Sequence, residues 1–308
     1  MKREITLKST NGKDNLHVII WEPEGECKGI VQISHGMEEY VDRFDNLALK
    51  LNAAGYLCIG NDHIGHGLTA ASREDLGYFG DGLSKTVVDD LKIVTDYAKE
   101  TYGKDISYCL FGHSMGSFMA RRYAMSYGNE LTALILSGTG YTPNAIVGLG
   151  RIVATLVGAV KTERCRSKLL KTMAFGAYNK RIENAKTTHD WLTRDEEEVK
   201  KYLASDLCAF SFTVNGYKTL FDVLTYIQKD SNVANIPAKL PIYMISGKED
   251  PVGNYGAGVR IVYDKLVDTG HTEVEMKLYD NDRHELTNEL DKEQVFADII
   301  SWLDGKMK

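Results

Sequence analysis

The clearest chemical signal in the sequence is the run Gly112-His113-Ser114-Met115-Gly116, which has the spacing G-x-S-x-G. This spacing is typical of a sharp turn that exposes a serine hydroxyl for nucleophilic attack, and small flanking residues are needed because side chains there would clash. An apolar run at 108–111 precedes the motif, and a segment of helical character follows it. This context predicts Ser114 as a nucleophile and disfavours a glycine-rich turn with an incidental serine.

A serine hydroxyl is a poor nucleophile at neutral pH, so it needs a base that a third group orients. In chains with this motif, an acid and then a histidine follow the serine. Asp250 and His284 each lie in a loop directly after an apolar run, at 241–246 and 274–279 respectively. Because the carboxyl ends of parallel strands share one edge of a sheet, we expect both side chains to lie near Ser114.

Other acids and histidines compete for these roles. Glu249 could replace the acid beside it, whereas Asp282 is only two residues from His284 and is poorly placed to align with that ring. His271 precedes its predicted strand, at the opposite edge of the sheet, and is interpreted as a helix-end surface residue. His189 lies in a segment without strands, where we expect it to be solvated or to pack within a lid.

The attacked carbonyl also needs hydrogen-bond donors for the negative charge that develops on its oxygen. The backbone N–H of Met115, directly after the serine, is the first expected donor. The second is expected from the loop after the apolar run 29–34, where a His-Gly pair precedes Met37. The residues expected to support these loops, without transferring protons, are His35, Gly36 and His113.

His63 and His66 have the spacing H-x-x-H, which could indicate a metal site. No cysteine or carboxylate completes a known metal-ligand spacing. We therefore interpret this segment as a structured turn whose Asp62 and histidines hold neighbouring loops, and we predict neither a metal nor an organic cofactor.

The elements that position these residues follow from the hydrophobic pattern. Residues 4–21 alternate loosely and break at 10–13, which predicts an opening antiparallel hairpin. Apolar runs then alternate with segments of helical period, which predicts an α/β fold with a mostly parallel central sheet flanked by helices. The predicted strands are 29–34, 56–60, 107–111, 131–136, 241–246 and 274–279, and the predicted helices are 41–54, 84–102, 115–127, 257–268 and 290–304.

Residues 141–235 interrupt this alternation, because they contain helical segments and no convincing strand. The last of these helices, at about 213–229, is assigned to the core. The sequence therefore predicts an α/β core formed by residues 1–140 and 213–308. A helical cap at 141–212 is inserted between two strands of the sheet.

The predicted cap has an uneven charge distribution. Residues 151–186 contain nine lysines and arginines but two acids, in a chain of formal net charge -6, and residues 145–160 are almost wholly apolar. We hypothesise that 145–160 lines an acyl pocket or its mouth, and that the basic stretch faces an anionic membrane surface or an anionic substrate. A helix packed on the core beside a solvated basic face is an equally open alternative.

Composition argues against several other classes of protein. With 308 residues, 43% hydrophobic and 26% charged, the chain is typical of a globular protein and not of a disordered or coiled-coil one. Its negative net charge argues against nucleic-acid binding. The first residues lack the apolar segment of a signal peptide, and no apolar run is long enough to span a bilayer. Scattered cysteines without a C-x-x-C pair predict free thiols and a cytoplasmic location.

Several motifs together resemble the monoacylglycerol lipase and lysophospholipase family of serine α/β-hydrolases, often described as serine-aminopeptidase-like. The likeness covers about 28–140 and 210–304, whereas the cap matches poorly, so substrate preference does not transfer. The departures are Glu38 for glycine, Tyr40 for histidine and Phe44 for tyrosine, beside the expected oxyanion loop. The matching stretches are 35–44 with the pattern HGxGEHxxRY, 62–67 with DHxGHG, 112–116 with GHSMG, and Asp250 and His284-Glu285 at the acid and base positions.

The resemblance implies an α/β-hydrolase fold with a helical cap. It also implies hydrolysis of carboxylic esters, such as monoacylglycerols, lysophospholipids or smaller esters, through an acyl-enzyme. It assigns the triad to Ser114, Asp250 and His284, and the oxyanion donors to Met37 and Met115. Peptidase or acyltransferase activity of the same residues is the alternative. A non-catalytic binding module is a remote alternative, because it would not need the complete set.

Overall fold

The computed structural model describes residues 1–307 of the chain. Its strands are β1 (Lys2–Lys8), β2 (Asn15–Trp21), β3 (Gly29–Ser34), β4 (Tyr56–Asn61), β5 (Tyr108–His113), β6 (Ala133–Ser137), β7 (Ile242–Gly247) and β8 (Val274–Tyr279). They form one eight-stranded sheet in the order β1-β2-β4-β3-β5-β6-β7-β8. The pairs β1–β2 and β2–β4 are antiparallel, and the other pairs are parallel. The predicted opening hairpin and mostly parallel sheet are therefore confirmed.

Helices cover the sheet and connect its strands. They are α1 (Asp45–Ala53), α2 (Leu83–Tyr102), α3 (Met115–Tyr127), α4 (Asn144–Val160), α5 (Lys168–Phe175), α6 (Glu196–Ala204), α7 (Val214–Ile227), α8 (Asp230–Val233), α9 (Ala257–Asp268) and α10 (Lys292–Lys306). The predicted helix at 41–54 is divided, because a 3-10 turn at Val41–Phe44 precedes α1. The N–H of Val41 donates to the Asp62 carboxylate at 2.8 Å, which ties this turn to the loop after β4.

Strand β5 lies inside the sheet with both of its faces covered. Leu110 shares a buried cluster with Leu91 of α2 and Met119 of α3. The next residue, Phe111, belongs to the cluster on the opposite face, where its ring lies 6.0 Å from the ring of Phe44. This burial on both faces explains why the run is continuously apolar and does not alternate.

We refer to residues 141–212 as the cap segment. It lies between β6 and β7 in the chain and contributes α4, α5 and α6 but, within its fully described length, no strand. The following helix, α7, belongs to the same buried cluster as α2 and α3 through Tyr217 and Val223. Helix α4 packs on α7, where Gly150 leaves room for the ring of Phe221.

The interpretation of His271 as a surface residue is wrong. Its side chain is 3% exposed, and its ring nitrogens lie 2.9 Å from the carbonyl oxygen of Leu266 and 3.1 Å from that of Ile236. Gly270, at φ 95°, turns the chain back toward the sheet after α9 and thereby buries the following ring. Glycine adopts this left-handed conformation without the steric penalty of other residues.

The sequence also predicted the state of the cysteines. Cys27, Cys58, Cys109, Cys165 and Cys208 are free thiols, as expected. In the described part of the chain, no helix combines the length and the apolar character needed to cross a membrane.

Candidate active site

Ser114 occupies the sharp turn between β5 and α3, with φ 53°. L-residues rarely adopt this conformation, and it persists only where the surroundings enforce it. The Ser114 N–H donates to the carbonyl oxygen of Ser137 on β6 at 2.9 Å. Its own carbonyl oxygen accepts from the N–H of Ser117 at 2.8 Å and from the Ser117 hydroxyl at 2.6 Å. The turn is thus fixed to the sheet on one side and to α3 on the other.

The two glycines of the motif allow α3 to begin close against the sheet. A Cβ atom on Gly116 would overlap the backbone carbonyl of Ser34 on β3. A Cβ on Gly112 would lie 2.5 Å from the carbonyl oxygen of Gly116. Both positions therefore require glycine because of backbone contacts, and this close packing places Ser114 at the carboxyl end of β5.

His284 and Asp250 form a buried pair at the same edge of the sheet. The Nδ1 atom of His284 lies 3.0 Å from Oδ2 of Asp250. The carboxylate also accepts from the N–H of Val252 at 2.8 Å and from the Ser246 hydroxyl at 3.2 Å. These contacts fix the acid after β7 and leave Nε2 as the ring nitrogen available for other contacts.

The electrostatics of His284 favour its protonated form. Burial alone would lower the pKa of this imidazole. The charge and hydrogen bond of Asp250, with the charges of Glu285 and Glu39, outweigh burial and raise the pKa above its ordinary value of 6.5. An imidazolium formed during a proton transfer would therefore be stabilised here. Among the described residues, the Ser114 hydroxyl makes no hydrogen bond to this ring, a contact that often tightens only when substrate binds.

The alternative acids and the alternative histidine do not lie beside Ser114 and His284 in the same way as Asp250 does. Glu249 is exposed to solvent, and Asp282 pairs with Arg194 of the cap segment. Burial, together with the neighbouring carboxylates, raises the pKa of Asp282 to about 7. His189 is partly buried in the cap segment, with its ring 5.4 Å from that of Tyr202, which matches the expected packing within a lid.

The loop after β3 contains the expected second oxyanion donor. Met37 and Met115 line the same cavity as Ser114, and Met115 begins α3, where a backbone N–H has no partner within the helix. In the same loop, Nδ1 of the His35 ring lies 2.8 Å from the carbonyl oxygen of Gly36. Burial lowers the pKa of His35, so its ring is neutral and supports this loop.

His63 and His113 also lie close to the loops that carry the expected oxyanion donors and the base. Nε2 of His35 accepts from the N–H of His63 at 3.0 Å, while Asp62 accepts from the N–H of Leu68 at 2.8 Å. Residues 62–68, after β4, are thus a structured turn that holds neighbouring loops. The ring of His113 is buried 4.7 Å from that of His284, and burial lowers its pKa.

A buried guanidinium joins the oxyanion loop to the histidine loop. Arg43 donates to Glu39 at 2.5 Å and makes two hydrogen bonds of 2.7 Å to Glu285. Glu39 in turn accepts from the N–H of Gly36 at 2.5 Å, and Glu285 directly follows His284. Burial raises the pKa of Glu39, whereas at Glu285 the Arg43 charge outweighs burial and lowers the pKa. This cluster was not predicted, although the four-residue spacing of Glu39 and Arg43 suits an ion pair.

A cluster of three carboxylates, Asp282, Glu289 and Asp291, is the one metal-like grouping among residues 1–307. The guanidinium of Arg194 already contacts all three, at 2.9 Å for Glu289 and 2.7 Å for Asp291. The cluster therefore acts as an ion-pair contact between the cap segment and the core.

A cavity of about 460 Å³ lies between the core and the cap segment. Ser114 and His284 line its core side, and Phe175, Tyr178 and Trp191 line its cap side. Helix α4 contributes no lining residue, which contradicts the first form of the hypothesis, that 145–160 lines the pocket itself. The reason is that α4 lies on α7, while α5 and the loop after it cover the cavity.

Comparison with known proteins identifies the family of the chain. The family model described as "Serine aminopeptidase, S33" matches residues 25–291. The chain belongs to this family of hydrolases. The monoacylglycerol lipase of Mycolicibacterium smegmatis is 26% identical over 290 residues, which cover 92% of this chain and 91% of that protein. The mouse monoglyceride lipase is 24% identical over 296 residues, with 93% and 86% covered.

Solved structures extend the likeness to the whole fold. A thermostable carboxyl esterase from Bacillus coagulans superposes with a TM-score of 0.93 at 34% identity, over 100% of this chain and 99% of that one. A soluble variant of the Saccharomyces cerevisiae monoglyceride lipase superposes with a TM-score of 0.77 at 20% identity, over 99% and 95%. The protein therefore has the α/β-hydrolase fold and is a monoacylglycerol lipase-like α/β-hydrolase.

Replacement of Arg43 by methionine removes the cation and leaves Glu39 and Glu285 buried beside each other. We expect the free energy of unfolding of Arg43→Met to fall by about 3–5 kcal/mol, because removing one partner of a buried ion cluster leaves uncompensated charge. Equilibrium urea unfolding followed by circular dichroism measures this loss.

The matched control is Lys50→Met, since Lys50 pairs with Glu293 at 2.7 Å on the exposed surface. Its expected loss is below about 1 kcal/mol. Equally small losses in the two variants would contradict the structural role assigned to Arg43.

Proposed function

We propose that this hydrolase cleaves carboxylic esters through an acyl-enzyme on Ser114, with monoacylglycerol-like or lysophospholipid-like lipids as its substrates. One observation carries the proposal: the strained Ser114 turn and the His284 ring, which is paired with the buried Asp250, line one cavity together with Met37 and Met115. Relatives named as monoacylglycerol lipases support the substrate class.

In the first half of the reaction, the Ser114 hydroxyl attacks the ester carbonyl while Nε2 of His284 accepts its proton. Asp250, hydrogen-bonded to Nδ1, stabilises the resulting imidazolium. The N–H groups of Met37 and Met115 bind the oxyanion of the tetrahedral intermediate. The imidazolium then gives its proton to the leaving alcohol, and an acyl group stays on the serine.

In the second half, His284 accepts a proton from water as the water attacks the acyl-enzyme. The same two N–H groups bind the second oxyanion. Collapse of that intermediate breaks the bond to the serine oxygen, which takes back the proton from His284, so the acid is released and Ser114 is restored. The cavity volume of about 460 Å³ suits an ester of modest size, and Phe118, Leu220 and Val252 provide an apolar wall for an acyl chain.

Peptidase activity is the second candidate, because the matching family model carries the description of a serine aminopeptidase. Acyl transfer to an acceptor other than water would use the same residues. A non-catalytic binding module is disfavoured, since such a module would have no use for a nucleophile, a base and an acid together.

Turnover on a graded panel of esters tests the main proposal. We expect hydrolysis of p-nitrophenyl esters and of a monoacylglycerol, with higher kcat/KM for longer acyl chains because the cavity wall is apolar. Ser114→Ala should lose at least about 10³-fold in kcat. Steady-state rates on purified protein measure both effects.

Ser301→Ala, which changes an exposed serine on α10, is the control and should retain the wild-type rates. Turnover of aminoacyl arylamides, with no turnover of any ester in the panel, would favour the peptidase. Ester turnover that survives in Ser114→Ala would contradict the assigned nucleophile.

The pH dependence of kcat/KM tests the role of His284. The base must be neutral to accept the serine proton, so the rate should fall as pH decreases through a pKa above 6.5. In Asp250→Asn the stabilising charge is lost, so the acidic limb should move to lower pH and kcat should fall by up to about 10⁴. Rate profiles between about pH 5 and 9 measure both.

Asp280→Asn, at an exposed acid that pairs with Lys248, is the control and should leave the acidic limb in place. An acidic limb at the same pH in wild type and Asp250→Asn would show that Asp250 does not set this pKa.

We further propose that the outward face of α4 contacts an anionic lipid surface. Ile146, Leu149, Ile152, Leu156 and Val160 lie at helical spacing and are 56–83% exposed. Arg151, Lys161 and Lys168 are exposed nearby in the chain, and an apolar helix face beside basic residues suits an anionic interface. Part of the predicted basic stretch serves another purpose, because Arg164 pairs with Asp75 of the core at 2.7 Å.

Co-sedimentation with phosphatidylglycerol and with phosphatidylcholine vesicles at low salt tests this contact. We expect the wild type to bind the anionic vesicles. The double variant Leu149→Ser/Leu156→Ser should bind them at least about tenfold more weakly, because it lacks two apolar side chains that would be buried in the lipid surface. Leu49→Ser, at a residue 52% exposed on α1, is the matched control. Equal sedimentation of all three proteins, or none with anionic vesicles, would refute the contact.

We also infer a cytoplasmic location. The five free thiols support it, because such thiols persist in a reducing compartment.

A further inference from the structure

Trp191 of the cap segment contacts the ring of the expected base. The centroids of the Trp191 and His284 rings are 5.1 Å apart, with an angle of 40° between the ring planes. The tryptophan lines the active-site cavity, and it is 7% exposed. The cap segment therefore contributes a side chain to the immediate surroundings of His284, in addition to covering the cavity.

Other residues of the cap segment hold the indole of Trp191. The ring of Tyr178 lies edge-on to it at a centroid distance of 4.8 Å, and the ring of Phe175 is stacked on it at 6.2 Å. The backbone N–H of Trp191 donates to the side-chain oxygen of Asn179 at 3.0 Å. The indole thus has a defined orientation within the cap segment.

Hydrogen bonds join the chain around Trp191 to the chain around His284. In each bond the donor comes from a neighbour of His284, and the acceptor is the backbone carbonyl of a residue within two positions of Trp191. The bonds run from the N–H of Glu285 to Leu192 at 2.7 Å, and from the guanidinium of Arg283 to Asp190 at 2.7 Å and Thr193 at 3.1 Å. The backbone on both sides therefore fixes the position of the indole relative to the imidazole.

The imidazole of His284 needs such a contact in order to keep its direction. Its Nδ1 atom is fixed by Asp250, but one hydrogen bond leaves the ring free to swing about that nitrogen and to carry Nε2 away from Ser114. The ring of His113, 4.7 Å away, limits this movement from the core, and the indole of Trp191 limits it from the cap segment. A reacting group keeps its geometry only where packing locks its rotamer.

The indole also affects the charge of the base. The face of an indole attracts a cation within about 6 Å of the ring centre, and this attraction is strongest where water is excluded. His284 is buried and becomes an imidazolium when it accepts the serine proton in the proposed reaction. An aliphatic side chain in the place of Trp191 would fill space but would not attract that charge.

Other titratable groups around His284 stay the same when Trp191 is replaced. They come from the loops after β3, β7 and β8, from the end of β5 and from the cap segment. These groups are Asp250, Glu285 and Glu39, the Arg43 guanidinium paired with both glutamates, and the neutral side chains of His113 and Tyr178. A difference in the pKa of His284 between variants of residue 191 therefore reports the side chain at that position.

We propose that Trp191 is a positioning residue for the base: its indole keeps the His284 ring directed at Ser114 and stabilises the imidazolium that forms during proton transfer. The cap segment thereby takes part in the proton-transfer steps. This inference rests on the proposed ester hydrolysis, and it adds to that mechanism a residue outside the serine, the histidine and the acid.

An NMR titration of the ring protons of His284 tests the inference without turnover. The signal of this ring is identified by its loss in His284→Gln. We expect Trp191→Leu to lower the pKa of His284 by about 0.4 to 1.5 pH units, because the attraction between the indole and the imidazolium is lost. Trp191→Phe keeps a smaller aromatic face and should lower the pKa by less.

Trp302→Leu is the matched control. It makes the same change at a residue that is 8% exposed and whose ring stacks on Tyr243 of the core, so it should leave the pKa of His284 in place. A pKa in Trp191→Leu within about 0.2 pH units of the wild type would overturn the inference. Thermal unfolding shows whether each variant is folded, and Trp191→Met supplies the same non-aromatic comparison if the leucine variant is not.

Steady-state kinetics on p-nitrophenyl butyrate give the second measurement. We expect kcat to fall about 3- to 30-fold in Trp191→Leu, with partial recovery in Trp191→Phe, and the acidic limb of kcat/KM to move to lower pH. A rise in KM with an unchanged kcat and acidic limb would assign Trp191 to substrate binding and overturn the inference. Absence of ester turnover in the wild type would refute the proposed function alone, because the NMR titration is read without catalysis.

Discussion

The buried guanidinium of Arg43 is the interaction on which the geometry of the site depends. Removing a charge from water is costly, and the cost is offset only where the partners and their hydrogen bonds are well placed. Here the partners are Glu39, which holds the N–H of Gly36, and Glu285, which follows the expected base. One cation thereby fixes the loop after β3 relative to the loop after β8, on either side of Ser114.

The parallel sheet supplies the rest of the arrangement. It brings the carboxyl ends of β3, β5, β7 and β8 to one edge, so residues far apart in the chain share a cavity. Ser114 remains in its left-handed turn because Ser137 and Ser117 hold its backbone on two sides. The cap segment closes the cavity with aromatic side chains, and Arg194 anchors that segment to carboxylates beside the His284 loop.

Features encoded locally were predictable from sequence, and features that depend on distant contacts were not. The strands and the Ser114 turn follow from short apolar runs and glycine spacing. Asp250 and His284 were predicted because each follows an apolar run, and the carboxyl ends of parallel strands lie at one edge of the sheet. Residues 145–160 are almost wholly apolar, so their pattern could not tell which apolar face packs on α7 and which stays exposed. The burial of His271 depends on the turn at Gly270 and on the carbonyl oxygen of Ile236, which lies far from it in the chain.

Covalent labelling followed by mass spectrometry tests the central claim most directly, namely that Ser114 is a nucleophile activated by His284. The protein is treated with a fluorophosphonate, digested, and the modified residue is located. We predict one adduct, on Ser114, that is absent in Ser114→Ala and forms at least about 10²-fold more slowly in His284→Ala. An adduct on another residue, or labelling of Ser114→Ala at the wild-type rate, would contradict it.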